Sequence, residues 1–70
     1  MDFRVGDKVV LQKGGPIMTV EYVKGSNINE DMEFKAKLSY GDVLCTWFDD
    51  KDKMHQEWLK FDEIEIYRGY

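Results

Sequence analysis

Apolar residues in this chain recur mainly at every second position, in short runs cut by glycine, proline or clustered aspartate. A period of two is the signature of a strand, whose side chains alternate between faces. Lys8–Gln12 is the first such run, β-rich and bounded by turn residues. Gly14, Gly15 and Pro16 end it, because paired glycines admit positive φ and Pro16 removes a backbone donor. Ile17–Val23 is the second run, with Met18, Val20 and Tyr22 on one face and Thr19 and Glu21 on the other. Lys24–Asn29 has the composition of a loop. Met32, Phe34, Ala36, Leu38 and Tyr40 then alternate with Glu33, Lys35, Lys37 and Ser39, which predicts a half-buried strand over 32–40. The charged start at Glu30–Glu33 also suits a helix, but the unbroken alternation favours the strand. Gly41-Asp42 reads as a tight hairpin, with Gly41 supplying the unusual φ. Val43–Phe48 is the most strongly β segment, and Asp49–Asp52 is a second hairpin turn. In the return strand Lys53–Leu59, Met54 and Trp58 share one face, and His55 and Glu57 the other. Lys60–Glu63 reads as one 3₁₀ turn, and Ile64–Tyr67 closes the chain as a last strand.

These short strands must share one small core, since 70 residues cannot build two full stacked sheets. The expected architecture is a single all-β domain over 1–70. It is a small SH3-like barrel of five to six short antiparallel strands, bent until closure removes the exposed edges. A chain of this size buries only roughly 60% of the surface its unfolded form exposes. Aromatic side chains offset that deficit, because each buries a large area. Ten are present: Phe3, Tyr22, Phe34, Tyr40, Trp47, Phe48, Trp58, Phe61, Tyr67 and Tyr70. Tyr70 stands at the end, where chains fray.

Cys45 is the only cysteine, so the core is not stapled by an internal disulfide, and a reducing compartment is favoured. The first residues lack the pattern of a secretory signal, and no apolar run approaches the roughly 20 residues of a membrane span. A cytoplasmic location without a membrane partner is therefore expected. The net charge is −4, distributed as +1 over residues 1–24, −2 over 25–42 and −3 over 43–70. An acidic chain is poorly suited to neutralising phosphates, which disfavours nucleic acid without excluding a local basic strip near Lys8 and Lys13.

Two strings carry a resemblance. Phe3 to Val20 contains Val5-Gly6-Asp7-Lys8-Val9 followed by Gly14-Gly15-Pro16-Ile17-Met18-Thr19-Val20, and Val43 to Asp49 contains Cys45-Thr46-Trp47-Phe48. Together with Lys60–Glu65, these strings resemble the YodC-like family of small bacterial proteins over about two thirds of the chain. The Gly-Gly-Pro-x-Met-Thr-Val and Cys-x-Trp-Phe strings are specific in combination, whereas a Val-Gly-Asp-x-Val opening is shared by many SH3-like barrels. The resemblance informs fold more than role. It departs from the family's pattern at Lys24–Asp42, where the usual link is shorter, and an activity special to this chain would sit there.

The chemistry-bearing residues do not assemble a catalytic set. Cys45 lies mid-strand, where a lone thiol is ordinarily buried and inert. His55 is the only histidine, too few with one cysteine for a structural zinc site, and it reads as a surface strand residue. Asp49, Asp50 and Asp52 read as turn residues before they read as cation ligands. No cofactor and no enzymatic activity are expected. Gly14-Gly15-Pro16 reads as a turn, and its open backbone also admits a partner's close approach. It lacks the ending of a phosphate-binding loop. The aromatic surplus is the best candidate for a working surface. Trp47 and Phe48 are neighbours on a strand and point to opposite faces, Trp58 lies on the adjacent strand, and Tyr40 ends a strand beside a turn. Core filling competes for each of them. The candidate partner-binding residues are therefore Tyr40, Trp47, Phe48, Trp58, Gly14, Gly15 and Pro16. The expected role is a protein- or peptide-binding adaptor, with a nucleic-acid-associated module of transcription or translation as the alternative. A homodimer formed by edge pairing of the 32–40 strand is a further expectation.

Overall fold

The computed structural model describes residues 3–25 and 30–69. Most of the loop expected at 24–29 and the C-terminal Tyr70 lie outside the described residues. Five strands are present: β1 (Lys8–Leu11), β2 (Met18–Val23), β3 (Val43–Phe48), β4 (Met54–Leu59) and β5 (Ile64–Ile66). One helix, α1 (Glu30–Ser39), joins β2 to β3, and a 3₁₀ turn at Phe61–Glu63 precedes β5. The strands form one antiparallel sheet in the order β4-β3-β2-β1-β5. This is the all-β, SH3-like architecture: a meander of four strands whose last strand returns across the first. The sheet coils around its core but does not seal. β4 and β5 stay unpaired with one another, so the closure that would remove both edges is absent among the described residues.

The inner face follows the period-two reading except at the end of β2, where Val23 rather than Tyr22 joins Met18 and Val20. Val9, Met18, Val20, Val23, Val43, Cys45, Leu59 and Ile64 are buried together with Phe3 from the N-terminal arm. Phe3 stacks on Phe61 at 5.9 Å, which closes the open end of the core with two rings. Each fully buried aliphatic side chain contributes about 1.5–3 kcal/mol.

Residues 32–40 do not form the expected strand. Glu, Met, Lys, Ala and Leu are good helix formers, and Glu30, Asp31 and Glu33 in the first turn complement the positive end of the helix dipole. The alternation that reads as a strand maps onto a helix as two ridges spaced by four residues. Met32 and Ala36 turn inward, while Phe34 and Leu38 stand exposed on the opposite side. The edge-paired homodimer expected from a 32–40 strand falls with that strand.

The helix stop also differs from the expected hairpin. Gly41 N–H donates to the Ala36 carbonyl at 3.2 Å and Tyr40 N–H to the Lys37 carbonyl at 3.3 Å, the paired bonds of a Schellman ending. Tyr40 occupies the position that ordinarily takes glycine, with φ 56°. Gly41 answers a different demand: a Cβ there would lie 2.6 Å from Trp58 Cβ and 3.3 Å from the Trp58 backbone. The two residues are therefore expected to respond oppositely to substitution. Gly41→Ala forces α1 and β4 apart and should cost about 1–3 kcal/mol. Tyr40→Gly relieves the left-handed strain and should gain about 0.5–1 kcal/mol. Urea unfolding of the two variants beside the parent checks both signs.

Candidate functional site

Two faces of the sheet carry different surfaces, and a β-bulge sets which residues reach the outer one. Val20 pairs with Cys45, but Tyr22 pairs with Leu44, so Glu21 is the inserted residue. The bulge turns Tyr22 away from Met18 and Val20, which corrects the expectation that these share a face. Tyr22 instead lies on the outer face with Leu44 and Trp58, and its ring meets Trp58 edge-on at 5.9 Å. Helix α1 covers this end of the face. Tyr22 O–H donates to the Glu33 carboxylate, and Gly25 N–H donates to the same carboxylate at 3.2 Å. Burial first, and the adjoining carboxylate second, push the Tyr22 phenol up to about 12. The Tyr22 hydroxyl, then the Gly25 N–H, hold the Glu33 carboxyl below its ordinary value.

Beyond the helix the outer face continues as a polar row. Gln56, Thr46, Thr19 and Lys8 stand level on β4, β3, β2 and β1. Lys8 Nζ donates to Thr19 Oγ1 at 2.7 Å, and Gln56 Nε2 to Thr46 Oγ1 at 3.4 Å.

The next row, at the loop end of the sheet, is apolar and open. Phe48 pairs with Met54. Continuing the Thr19–Thr46 and Val9–Met18 registers toward the loops sets Ile17 level with Phe48, and Val10 level with Ile17. Phe48 is 62% exposed, Met54 57% and Ile17 48%. Val10, half-buried, also lines a shallow groove of about 610 Å³ with Glu65, Ile66, Tyr67 and Arg68. An apolar stripe therefore crosses the sheet from β4 to β1 and runs into a groove at β5. Contiguous exposed apolar surface of this kind marks interaction sites, whereas single exposed side chains do not.

The predicted site residues distribute around this stripe unevenly. Phe48 is its centre. Gly14, Gly15 and Pro16 form the exposed loop leading into Ile17, with φ 100° at Gly14 and 143° at Gly15, and so flank it. Trp47 turns inward as the strand alternation requires, packs against the core and stacks on His55 at 5.4 Å. Trp58 shares the outer face but lies at the helix-covered end, half-buried beneath Tyr22. Tyr40 is 80% exposed at the end of α1, with its backbone serving the helix stop rather than the stripe. Ile17, Met54 and Val10 were missed as site residues. Their parity was readable from the strand pattern, but their exposure was not.

The remaining candidates take structural places. Cys45 lies wholly within the core, and burial, with the Glu57 charge second, pushes its thiol up to about 11. That leaves it a neutral core residue near neutrality. Asp49 organises the β3–β4 turn. Its carboxylate accepts from the Lys51 N–H at 2.8 Å and the Lys53 N–H at 3.0 Å, and its Oδ2 lies 2.9 Å from His55 Nε2. The His55 contact first, and those N–H groups next, lower the Asp49 carboxyl. No helix among the described residues is long and apolar enough to cross a membrane.

A family model of uncharacterized small proteins, DUF2158, matches residues 4–64, and the chain belongs to this family. No curated protein and no solved structure matches it.

The Tyr22–Glu33 clasp makes stability depend on pH in two directions. Glu33, lowered in the fold, stabilises fully above its unfolded value of about 4.3 and loses that contribution as pH falls through the folded value. Tyr22, raised in the fold, contributes fully below about 10 and loses its contribution as pH climbs toward about 12. The stability difference between parent and Tyr22→Phe should therefore be constant between these limits and shrink at both ends. Denaturant midpoints measured across pH check this. A difference independent of pH would mean the clasp does not form.

Proposed function

We propose that this member of the DUF2158 family is a non-enzymatic binding module that docks an apolar segment of a protein or peptide partner across the outer face of its sheet. The observation that carries this reading is the Met54–Phe48–Ile17–Val10 row. Neighbouring strands lie about 4.8 Å apart, so the row offers apolar steps at that spacing, perpendicular to the strands. The row is rimmed by Lys8, Thr19, Thr46 and Gln56 on one side and by the Gly14–Pro16 and Asp49–Lys53 turns on the other. An exposed aromatic centre within a polar rim is the anatomy of an interface hot spot. SH3-like folds use loop-flanked aromatic surfaces for peptide docking, which supports the reading by analogy of fold. Within DUF2158, the Gly14-Gly15-Pro16 and Cys45-Thr46-Trp47-Phe48 strings favour the YodC-like group, and a cytoplasmic setting suits the lone reduced Cys45.

Phe48→Ser provides the test, because its ring is exposed and its loss should change folding stability by no more than about 0.5 kcal/mol. Affinity capture from native extract, with and without nuclease and at two salt concentrations, would identify proteins retained by the parent. A direct partner should survive nuclease. Its affinity for Phe48→Ser should fall by about 2 kcal/mol, roughly thirtyfold. Retention that vanishes with nuclease or moderate salt would transfer the face to nucleic acid. Retention indifferent to Phe48→Ser would remove the stripe as the docking surface.

A further inference from the structure

The sheet leaves β4 with a free edge, and its sequence is complementary to itself. Asp49 N–H donates to the Lys53 carbonyl at 3.0 Å, and Asp42 N–H to the Leu59 carbonyl at 2.9 Å. In an antiparallel ladder a residue's N–H and C=O point to the same side, and successive residues alternate. Lys53, His55, Glu57 and Leu59 therefore direct their peptide groups toward β3. Met54, Gln56 and Trp58 direct theirs outward, where β4 has no neighbour among the described residues. Natural edges are blunted by shortness, bulges, proline or inward-pointing charge. The opposite edge, β5, spans only Ile64–Ile66. β4 spans Met54–Leu59, carries no proline and pairs with β3 without a register shift; its one inner-face carboxylate, Glu57, stays exposed to solvent.

We propose that β4 pairs antiparallel with β4 of a second copy of this chain, with Gln56 opposite Gln56 on the twofold axis. Outward peptide groups can bond only to outward peptide groups, which restricts self-pairing to a few registers. Centring on Gln56 sets Met54 opposite Trp58 and engages every outward residue. The side chains then agree on both faces. Met54 meets Trp58 on the outer face, an apolar pair. His55 meets Glu57 on the inner face, an imidazole against a carboxylate. Centring on Glu57 would oppose two carboxylates and leave Met54 without a strand partner. Centring on His55 would oppose two imidazoles and leave Trp58 without one. The twofold operation repeats each favourable pair, as a self-complementary interface requires. The pairing would join two sheets edge to edge, setting Trp58 of the second copy beside Met54 at the end of the apolar stripe.

The mass of the full chain should rise with concentration from monomer to dimer in sedimentation or light scattering. Gln56→Pro removes an outward N–H and the Gln56–Thr46 side-chain contact, but none of the backbone bonds between β3 and β4. It should therefore abolish the dimer while leaving the circular dichroism unchanged. Single cysteines report the register. Across a hydrogen-bonded pair the Cα atoms stand about 5.5 Å apart, within disulfide range. A shift of two residues along the strand adds about 6.7 Å, beyond it. Gln56→Cys should crosslink readily under mild oxidation, and Glu57→Cys and His55→Cys poorly; Cys45 is buried and does not compete. A monomer at every concentration would overturn the proposal. So would a dimer that survives a folded Gln56→Pro, or crosslinking that prefers position 55 or 57.

Discussion

The bulge at Glu21 is the constraint on which the outer half of the molecule depends. Without the extra residue Tyr22 would continue the alternation of Met18 and Val20 and enter the core. With it, Val23 takes the core position and Tyr22 crosses to the other face, where it meets Leu44, Trp58 and Glu33. The bulge therefore supplies the anchor for α1. Ala36 then packs inward, and the helix leaves through a left-handed Tyr40 into a glycine that tolerates the approach of Trp58. A single inserted residue in one strand thereby creates a second, smaller packing site on the outside of the sheet.

That second site covers only one end of the outer face. A ten-residue helix is about 15 Å long, too short to cover five strands spaced at about 4.8 Å. The polar row of Gln56, Thr46, Thr19 and Lys8 separates the covered end from the open one. At the open end, Ile17, Phe48 and Met54 remain exposed because no element crosses there among the described residues. The inner core is enclosed by the coiled sheet, Phe3 and Phe61, with only its β5 border at Ile66 open to solvent among the described residues. Exposed apolar surface therefore sits opposite the core, supported from behind by well-packed strands. A rigid backing of this sort favours binding, because little conformational freedom is lost when a partner docks.

Much of the fold was legible in particular residues. The faces of Met54 and Trp58 against His55 and Glu57, the split of Trp47 from Phe48, the turn at Asp49 and the 3₁₀ turn at Phe61 all follow from alternation and turn chemistry. The core place of Cys45 follows from its mid-strand position. Residues 32–40 were misread because alternate apolar positions on a helix generate two ridges, and the pattern alone does not reveal that one ridge would be left in water. Tyr22 was misplaced because a bulge has no necessary sequence mark when the inserted residue is not glycine. Of the candidate site, Phe48 and the Gly14–Pro16 loop were identifiable. Ile17 and Met54 look like ordinary strand residues until the coverage of their face is known.

The sequence by itself determined the five strands outside 32–40, most of the inner core and the turns at Gly14–Pro16, Asp49–Asp52 and Phe61–Glu63, because these depend on local alternation and on backbone preferences that each residue carries with it. Only the tertiary structure decided which outer positions are covered, which edge of the sheet is free and where the helix docks. Those outcomes depend on register and on the finite reach of α1. They arise between segments distant in the chain, where no local pattern records them.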